Sequence, residues 1–220
     1  MRIQHIMKKC QRSFFASFLL SSISLMSVVC AGTKTIEEED HLWTYEFGVA
    51  VLTENTIGDI LTGTITRDDT NTGAEIYQFT ATRFLSTLPV TIGNHTYHPL
   101  LEMPLCLEVV DEHSRDPFLN YNASLQCRWV DFPWNDKVKT TFAVGLGLSY
   151  SEKLYLNDIR FHNNEDRSHL KFNLPISLTF ARPSHPEQEL VIYIAHHSGG
   201  FGTFDYGGIN SIGMGIRYQF

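Results

Sequence analysis

Apolar and polar side chains alternate along most of this chain, and the alternation is clearest in its last segment. After position 210 the even positions are apolar and the odd positions are small or polar. The two sets are Ile212, Met214, Ile216, Tyr218 and Phe220, against Ser211, Gly213, Gly215, Arg217 and Gln219. Successive side chains of a β-strand point to opposite faces, so this period of two predicts a strand with one apolar face.

The same period recurs in seven earlier segments. Residues 170–180 have an apolar side chain at every even position, and residues 138–150 do so except at Thr140. Five others alternate less perfectly, and their apolar rows are Tyr45 to Val51, Tyr77 to Ala81, Leu101 to Val109, Tyr121 to Trp129 and Leu190 to Ile194. Pro104 and Pro175 fall inside two of the segments, where a missing backbone donor is unfavourable. No helical period of comparable length competes, so the chain predicts eight strands.

Strands with one apolar face occur in soluble sandwiches and in membrane barrels, and three features favour the barrel. Two runs exceed ten residues, longer than the usual soluble strand of about five or six. The opposite faces are rich in Gly, Ala, Ser and Thr, as a narrow lumen requires. Longer connections after the first, third, fifth and seventh strands alternate with short turns such as "FPWND". The predicted fold class is therefore all-β, an eight-stranded antiparallel transmembrane β-barrel.

The N-terminal segment has the features of a secretory signal peptide. Four basic residues precede an apolar run at residues 14–29, and the residues before position 32 fit cleavage after Ala31. A lipoprotein signal using Cys30 fits less well because residues 27–29 match its small-residue rule poorly. A retained membrane helix fits less well because the run is shorter than the ~20 residues that span a bilayer. The prediction is a signal peptide at residues 1–31 and an outer-membrane barrel at residues 32–220.

The charge of the chain argues against nucleic acid as a partner. Loss of residues 1–31 removes four basic residues and no acidic one, which takes the formal net charge from −7 down by four units to −11. Nucleic-acid binding needs a clustered basic face, which this acidic sequence lacks. The predicted export of the chain is a second argument against nucleic acid as its partner.

Cysteine and histidine spacing points to no metal or cofactor. Cys106 and Cys127 remain after cleavage, and an oxidising compartment would allow them to pair. The alternation places them on opposite faces of adjacent strands, so a disulfide would need a β-bulge, and both outcomes stay open. The histidines are scattered without a ligand spacing, and the sequence predicts neither a metal site nor a cofactor.

The segment "HHSGG" carries the candidate chemistry. His196 and Ser198 continue the apolar row of Ile192 and Ile194, so both face lipid, whereas His197 faces the lumen. If both ends of the barrel chain are periplasmic, this strand ends at the external leaflet. A histidine beside a serine places a general base near a hydroxyl, as nucleophilic acyl transfer requires. The same pair also fits a plain polar rim where a strand meets lipid headgroups.

This pair resembles a known motif. Together with the Gly-rich loop, "GGIN" and a closing strand ending in Phe220, it resembles the C-terminal hairpin of the lipid A 3-O-deacylase (PagL-like) family of outer-membrane acyl hydrolases. The resemblance covers residues 191–220. It implies that His196 is the base, that Ser198 is the nucleophile, and that a residue at the start of the last strand orients the histidine.

The chain departs from the family at two positions. Asn210 stands where the family has the orienting acid, and Gly199 stands where asparagine commonly follows the serine. Asn210 is nevertheless the predicted third member, since asparagine orients histidine in some catalytic sites, and Asp205 is the nearest acidic alternative. Three glycines after the serine are candidates for an oxyanion hole or for the turn itself, namely Gly199, Gly200 and Gly202.

Two functions follow from these observations. The first is an esterase of the bacterial outer membrane that removes an ester-linked acyl chain from lipid A, or lipopolysaccharide, in the outer leaflet. The alternative is a non-catalytic outer-membrane barrel of the same scaffold, in which the loops at residues 53–74 and 151–167 bind a partner or a surface glycan.

Overall fold

The computed structural model describes residues 43–161 and 167–219. The predicted signal peptide at residues 1–31 and the terminal Phe220 lie outside the described residues. All of the described residues belong to one unit, Glu39–Phe220.

Eight long strands pair antiparallel and close into a barrel, as the sequence predicts. The strands of the barrel are β1 (Trp43–Thr53), β2 (Ala74–Thr87), β5 (Leu100–Glu112), β6 (Phe118–Trp129), β7 (Lys139–Ser151), β8 (Leu170–Arg182), β9 (His185–Ser198) and β10 (Gly208–Gln219). Two short strands, β3 (Val90–Ile92) and β4 (His95–Tyr97), form a separate hairpin between β2 and β5. Each barrel strand pairs with its neighbour in the chain, and β1 pairs with β10 to close the sheet.

The two faces of the sheet are those that the alternation predicts. The outer face is a band of exposed apolar side chains, among them Phe47, Val49, Leu105, Leu107, Phe142, Val144, Leu146, Leu148, Leu190, Ile192, Met214 and Ile216. Along much of the strands the lumen face is small or polar and buried, as at Ser124, Ser149, Thr179 and Ser211, whereas near the loop end it is apolar. Thr140, the polar exception in its row, is buried, and the Trp134 indole donates a hydrogen bond to its hydroxyl at 2.9 Å.

Both strand prolines are accommodated without a change of register. Pro104 pairs with Thr82 of β2, while the pairing of β5 with β6 is interrupted at this position and resumes in the same register at Leu105. Pro175 likewise pairs with Ala195 of β9 and interrupts the pairing of β8 with β7. Each proline therefore interrupts the pairing with only one of its two neighbouring strands, because its nitrogen has no hydrogen to donate on that side.

The connections divide the barrel into two ends. The loop end carries residues 54–73, 113–117, 152–161, 167–169 and 199–207, and the turn end carries residues 88–99, 130–138 and 183–184. The second of the loop-end connections is short, contrary to the predicted alternation, because β5 and β6 extend further than their apolar rows. The long turn at residues 88–99 folds into the β3–β4 hairpin.

Two short helices occupy the loop end, α1 (Ile57–Leu61) and α2 (Leu156–Phe161). A capping box starts α1, in which the Thr56 hydroxyl accepts from the Asp59 amide and the Asp59 carboxylate accepts from the Thr56 amide. Among the described residues, no helix has the length and apolar character needed to cross a membrane.

The lumen is filled in three layers. Near the loop end it contains an apolar cluster that includes Leu52, Ile76, Val110, Phe118 and Tyr155. A polar cavity of about 70 Å³ lies deeper, beside Glu108, Asn122 and Tyr193. Towards the turn end Glu102 forms ion pairs with Arg128 at 2.9 Å and with Arg217 at 3.0 Å. The lumen is therefore a packed interior, as expected for eight strands.

The two cysteines are free, and they face opposite sides of the sheet. Cys106 borders the lumen cavity, whereas Cys127 continues the exposed row of Tyr121 and Leu125. The strand register pairs Cys106 with Asn122 and Cys127 with Leu101, so the two thiols are also several residues apart along the strands.

Candidate functional site

His196 and Ser198 lie at the loop end of β9, on its outer face. Both side chains are partly exposed, and they continue the row of the exposed Ile192. His197 between them is buried on the lumen face, as predicted from the alternation. The strand register brings Asn210 of β10 directly opposite His196, and Gly208 directly opposite Ser198.

The His196 imidazole is held by a chain of two hydrogen bonds. Its Nδ1 lies 2.7 Å from Asn210 Oδ1, and Asn210 Nδ2 donates to the backbone carbonyl of Asn55 at 2.8 Å. Because a carbonyl oxygen can only accept, it fixes the amide with its oxygen towards the histidine. Nδ1 therefore carries the proton, and Nε2 of the neutral ring is left as the basic nitrogen.

Loop 54–73 positions the carbonyl that orients Asn210. Thr53 pairs with Asn210 in the sheet and forms an isolated bridge with Arg67. The Glu54 amide donates to the Thr66 carbonyl at 3.0 Å, and the Thr66 amide donates to the Asn55 side chain. These bonds fold the loop back on itself and bury Asn210, which is 9% exposed. Sequence reasoning missed Asn55, because its contribution is a main-chain atom in a loop.

Ser198 receives a hydrogen bond from the loop that follows it. The Gly200 amide donates to Ser198 Oγ at 3.2 Å. A Cβ atom added at Gly208 would lie 3.5 Å from His196 Cε1, so the imidazole leans over the residue opposite the serine. Within residues 43–161 and 167–219 no hydrogen bond joins the His196 and Ser198 side chains.

The three candidate glycines have different surroundings. The Gly199 amide donates to the Gly207 carbonyl and the Gly202 amide to the Asp205 carbonyl, each at 2.8 Å, so these two amides close the loop. The Gly200 amide is directed at Ser198 and is the oxyanion candidate closest to the reacting atom. Gly200 and Gly202 have φ values of 69° and 94°, which favour glycine.

Asp205 is turned into the lumen and makes an ion pair there. Its Oδ2 lies 2.6 Å from Lys171 Nζ and accepts from the Ser168 amide at 2.9 Å, while its Oδ1 accepts from the Gly207 amide at 2.7 Å. Burial alone would raise the pKa of Asp205, but these hydrogen bonds and the Lys171 charge together lower it. The structure thus brings Asn210 to His196 and engages Asp205 elsewhere.

The two adjacent histidines cannot act on one ligand, because their rings point to opposite faces of β9. His197 is opposite Asn173 in the sheet, and its buried Nε2 has no hydrogen-bond partner among the described residues. No group of three or more metal-ligating side chains occurs in the described part of the chain.

An apolar groove begins beside the site and runs along the outer face. Its volume is about 490 Å³, and it is lined by Val49, Val51, Tyr77, Ile192, Ile212 and Met214. Val51 and Ile212 pair in the sheet two residues along from the pair of Thr53 and Asn210. The groove therefore starts where the polar site ends.

Comparison with known proteins shows the fold. No protein-family model matches this chain, and no curated protein matches it. Four chains among the solved structures match its fold. One is the crystal structure of the outer membrane enzyme PagL, with a TM-score of 0.51, 12% identity, and coverage of 79% of this chain and 98% of that chain. At this identity the likeness establishes the barrel architecture.

Proposed function

We propose that this protein is a carboxylic ester hydrolase of the bacterial outer membrane that removes an ester-linked acyl chain from lipid A, or lipopolysaccharide. The observation that carries the proposal is the hydrogen-bonded chain from Asn55 through Asn210 to His196, two residues from a serine on the same outer face. Such a chain fixes the tautomer of a general base, which a plain polar rim does not require.

Two features support an outer-membrane location. The outer face is a continuous apolar band on a closed barrel, which a bilayer can surround without leaving backbone groups unpaired. The solved structure of an outer membrane enzyme has the same kind of barrel. The two longest connections of the barrel, after β1 and after β7, lie at the loop end, which favours an external position for that end.

The proposed reaction is acyl transfer to Ser198 followed by hydrolysis. His196 Nε2 removes the proton from Ser198 Oγ as the oxygen attacks the ester carbonyl. The tetrahedral intermediate expels the sugar alkoxide, which takes the proton from His196. Water then attacks the acyl-serine with His196 again as base, and this step releases the fatty acid and restores the serine.

The surroundings of Ser198 fit both the ester group and the acyl chain of this substrate. The Gly200 amide, 3.2 Å from Ser198 Oγ, is within reach of the oxyanion that forms on the attacked carbonyl. The 490 Å³ groove below the site has the apolar lining that an acyl chain needs. An ester at the boundary between a sugar headgroup and its chains lies at the depth of the site, because the site lies at the end of the apolar band.

The test is mass spectrometry of lipid A from cells that express the wild type, His196→Ala or Ser198→Ala. We expect the wild type to release one acyl chain and both variants to leave lipid A intact, with loss of at least ~10³ in rate. Ser184→Ala, in the turn before β9, is the matched control and retains activity. Heat-modifiable migration on gels verifies that each variant is folded.

Unchanged lipid A in every strain, at equal levels of folded barrel, would contradict the proposed hydrolase activity. The alternative, a non-catalytic barrel of the same scaffold, would then remain. The external loops would then be the functional surface, and binding of the folded barrel to purified lipopolysaccharide would be the next measurement.

A further inference from the structure

A second groove lies on the outer face at the turn end, far along the strands from Ser198. Its volume is about 540 Å³. Its floor is a row of three side chains that pair across β8, β9 and β10, namely Phe180, Leu190 and Ile216. Leu190 and Ile216 are 51% and 52% exposed, so this floor is open to whatever surrounds the barrel.

Cationic side chains form the rim of this turn-end groove. Lys137, in the turn before β7, and Arg182, at the end of β8, both line it, with His185 beside them. In the stretches 43–161 and 167–219, no acidic side chain forms an ion pair with any of these Lys or Arg residues.

Cations at the loop end are paired, so the turn-end rim differs from them. Arg67 forms ion pairs with Asp69 and Glu75, and Arg160 does so with Glu54 and Asp68. The chain as a whole has a formal net charge of −7, which makes a set of unpaired cations on one edge unusual for it.

The acidic residues near the rim are directed elsewhere. Glu187 lies 3.3 Å from His185 Nδ1, and Glu189 lies 3.5 Å from Arg217 on the lumen face. Asp136 precedes Lys137 in the chain and forms no ion pair with it among the described residues. Glu189 also lines the groove, but its carboxylate pairs with Arg217, so an anionic group that approaches from the membrane meets Lys137 and Arg182, which have no acidic partner among the described residues.

We propose that the turn-end groove binds an anionic glycerophospholipid, with an acyl chain over Phe180, Leu190 and Ile216 and the headgroup phosphate between Lys137 and Arg182. A guanidinium and a phosphate oxygen form strong charge-assisted hydrogen bonds. The turn end lies in the leaflet opposite to that of Ser198, so this lipid and the proposed ester substrate occupy different leaflets. The site is thus separate from the proposed hydrolytic function.

Native mass spectrometry of the folded full chain in detergent tests this site, with added phosphatidylglycerol or with phosphatidylcholine of the same acyl chains. We expect the wild type to retain phosphatidylglycerol in preference to phosphatidylcholine. The double variant Lys137→Gln/Arg182→Gln should bind phosphatidylglycerol about 30-fold more weakly, since the loss of each interfacial cation weakens binding about fivefold. Arg182→Lys, which keeps the charge, should retain most of the binding.

Arg83→Gln is the matched control, because Arg83 is an exposed cation at the same end but on β2, with its guanidinium over the Trp43 ring at 5.5 Å. It should bind phosphatidylglycerol as the wild type does. Equal retention of the two lipids, or equal weakening by the double variant and by Arg83→Gln, would overturn the proposal. Ser198→Ala should bind the phospholipid normally, which separates this result from the fate of the hydrolase proposal.

Discussion

At the scale of single residues, Asn210 is the decisive position of the candidate site. Its amide accepts from His196 on one side and donates to the Asn55 carbonyl on the other. A carboxylate can perform the first task but not the second, because it has no proton to donate at neutral pH. The loop carbonyl therefore favours an amide over a carboxylate at this position.

Exchange of Asn210 for Asp tests this reading. Asn210→Asp puts a carboxylate oxygen against the Asn55 carbonyl, which should cost about 1–3 kcal/mol and misplace His196. We expect the rate of acyl release to fall at least about tenfold, as for Asn210→Ala. Initial rates on purified lipopolysaccharide in detergent provide the measurement. A faster Asp variant would show that the Asn55 carbonyl does not constrain the site.

The alternation of the sequence was enough to place the side chains of the site on their faces. It predicted that His196 and Ser198 lie on the outer face and that His197 lies in the lumen, and the structure agrees. It could not locate Asn55, because a backbone carbonyl in a loop leaves no pattern of residue types. It also could not show that Asp205 binds Lys171. That contact joins a loop to a strand, and the alternation of side chains along a strand does not give the distance from the strand to a loop.

At the scale of elements, ion pairs inside the lumen fasten the loops. Lys171 of β8 binds Asp205 of loop 199–207 at 2.6 Å and Asp158 of α2 at 2.9 Å. Arg160 of α2 binds Asp68 of loop 54–73 at 3.4 Å. The three longer loops are thus linked to one another, and the loop that follows Ser198 is linked to β8. These are contacts that strand periodicity cannot predict, whereas the strands themselves were predictable from their alternating faces.

The pH dependence of the Asp205 contact has a definite sign. The folded-state pKa of Asp205 is lower than the ordinary value of 3.8, so its stabilisation is complete above that value and is lost as the pH falls through the lowered pKa. We expect Asp205→Asn to lower the thermal midpoint of unfolding at pH 7, because Lys171 then loses one of its two ion pairs and retains only the pair with Asp158.

The difference in thermal midpoint between wild type and Asp205→Asn should stay constant from pH 7 to about pH 5 and shrink below pH 3.8. Gel migration after heating at each pH measures both midpoints. Asp59→Asn, in α1 of another loop, is the control for removal of a loop carboxylate. A difference that grows on acidification would contradict the assigned pKa direction.

The two native cysteines report the facing of the strands. Cys127 lies on the outer face of β6 and Cys106 borders the lumen cavity of β5. A membrane-soluble maleimide should label the folded protein once, and Cys127→Ala should abolish this labelling while Cys106→Ala leaves it. Intact-mass analysis counts the labels. Labelling that depends on Cys106 would invert the assignment of the two faces.

At the scale of the whole molecule, the barrel is closed along its axis. Apolar side chains fill the loop end of the lumen, and the Glu102 network crosses it nearer the turn end, with a cavity of about 70 Å³ between the two layers. Beside the network the lumen opens at the turn end into a space of about 360 Å³. Hydrated ions need a continuous polar path, which this arrangement lacks. All proposed binding and chemistry accordingly takes place on the outside of the sheet.

The closed lumen predicts the absence of a pore. Purified protein inserted in planar bilayers should show no discrete conductance steps, because neither the apolar cluster nor the buried ion pairs leave room for a hydrated ion. Folded insertion is verified beforehand by resistance of the barrel to protease in vesicles. Regular ohmic steps at low voltage would show that one of the two layers opens.

The Glu102 network also bears on how the sheet finds its closing partner. Arg217 of β10 binds Glu102 across the lumen and Thr44 of β1 at 3.0 Å each. A shift of β10 by one residue would exchange its two faces. A shift by two residues keeps every apolar side chain on the outer face, so the hydrophobic pattern does not oppose it. It would remove Arg217 from Glu102 and leave that carboxylate with Arg128 and Gln126. These buried charges therefore specify the register between β1 and β10, because they disfavour a two-residue shift that the hydrophobic pattern alone would allow.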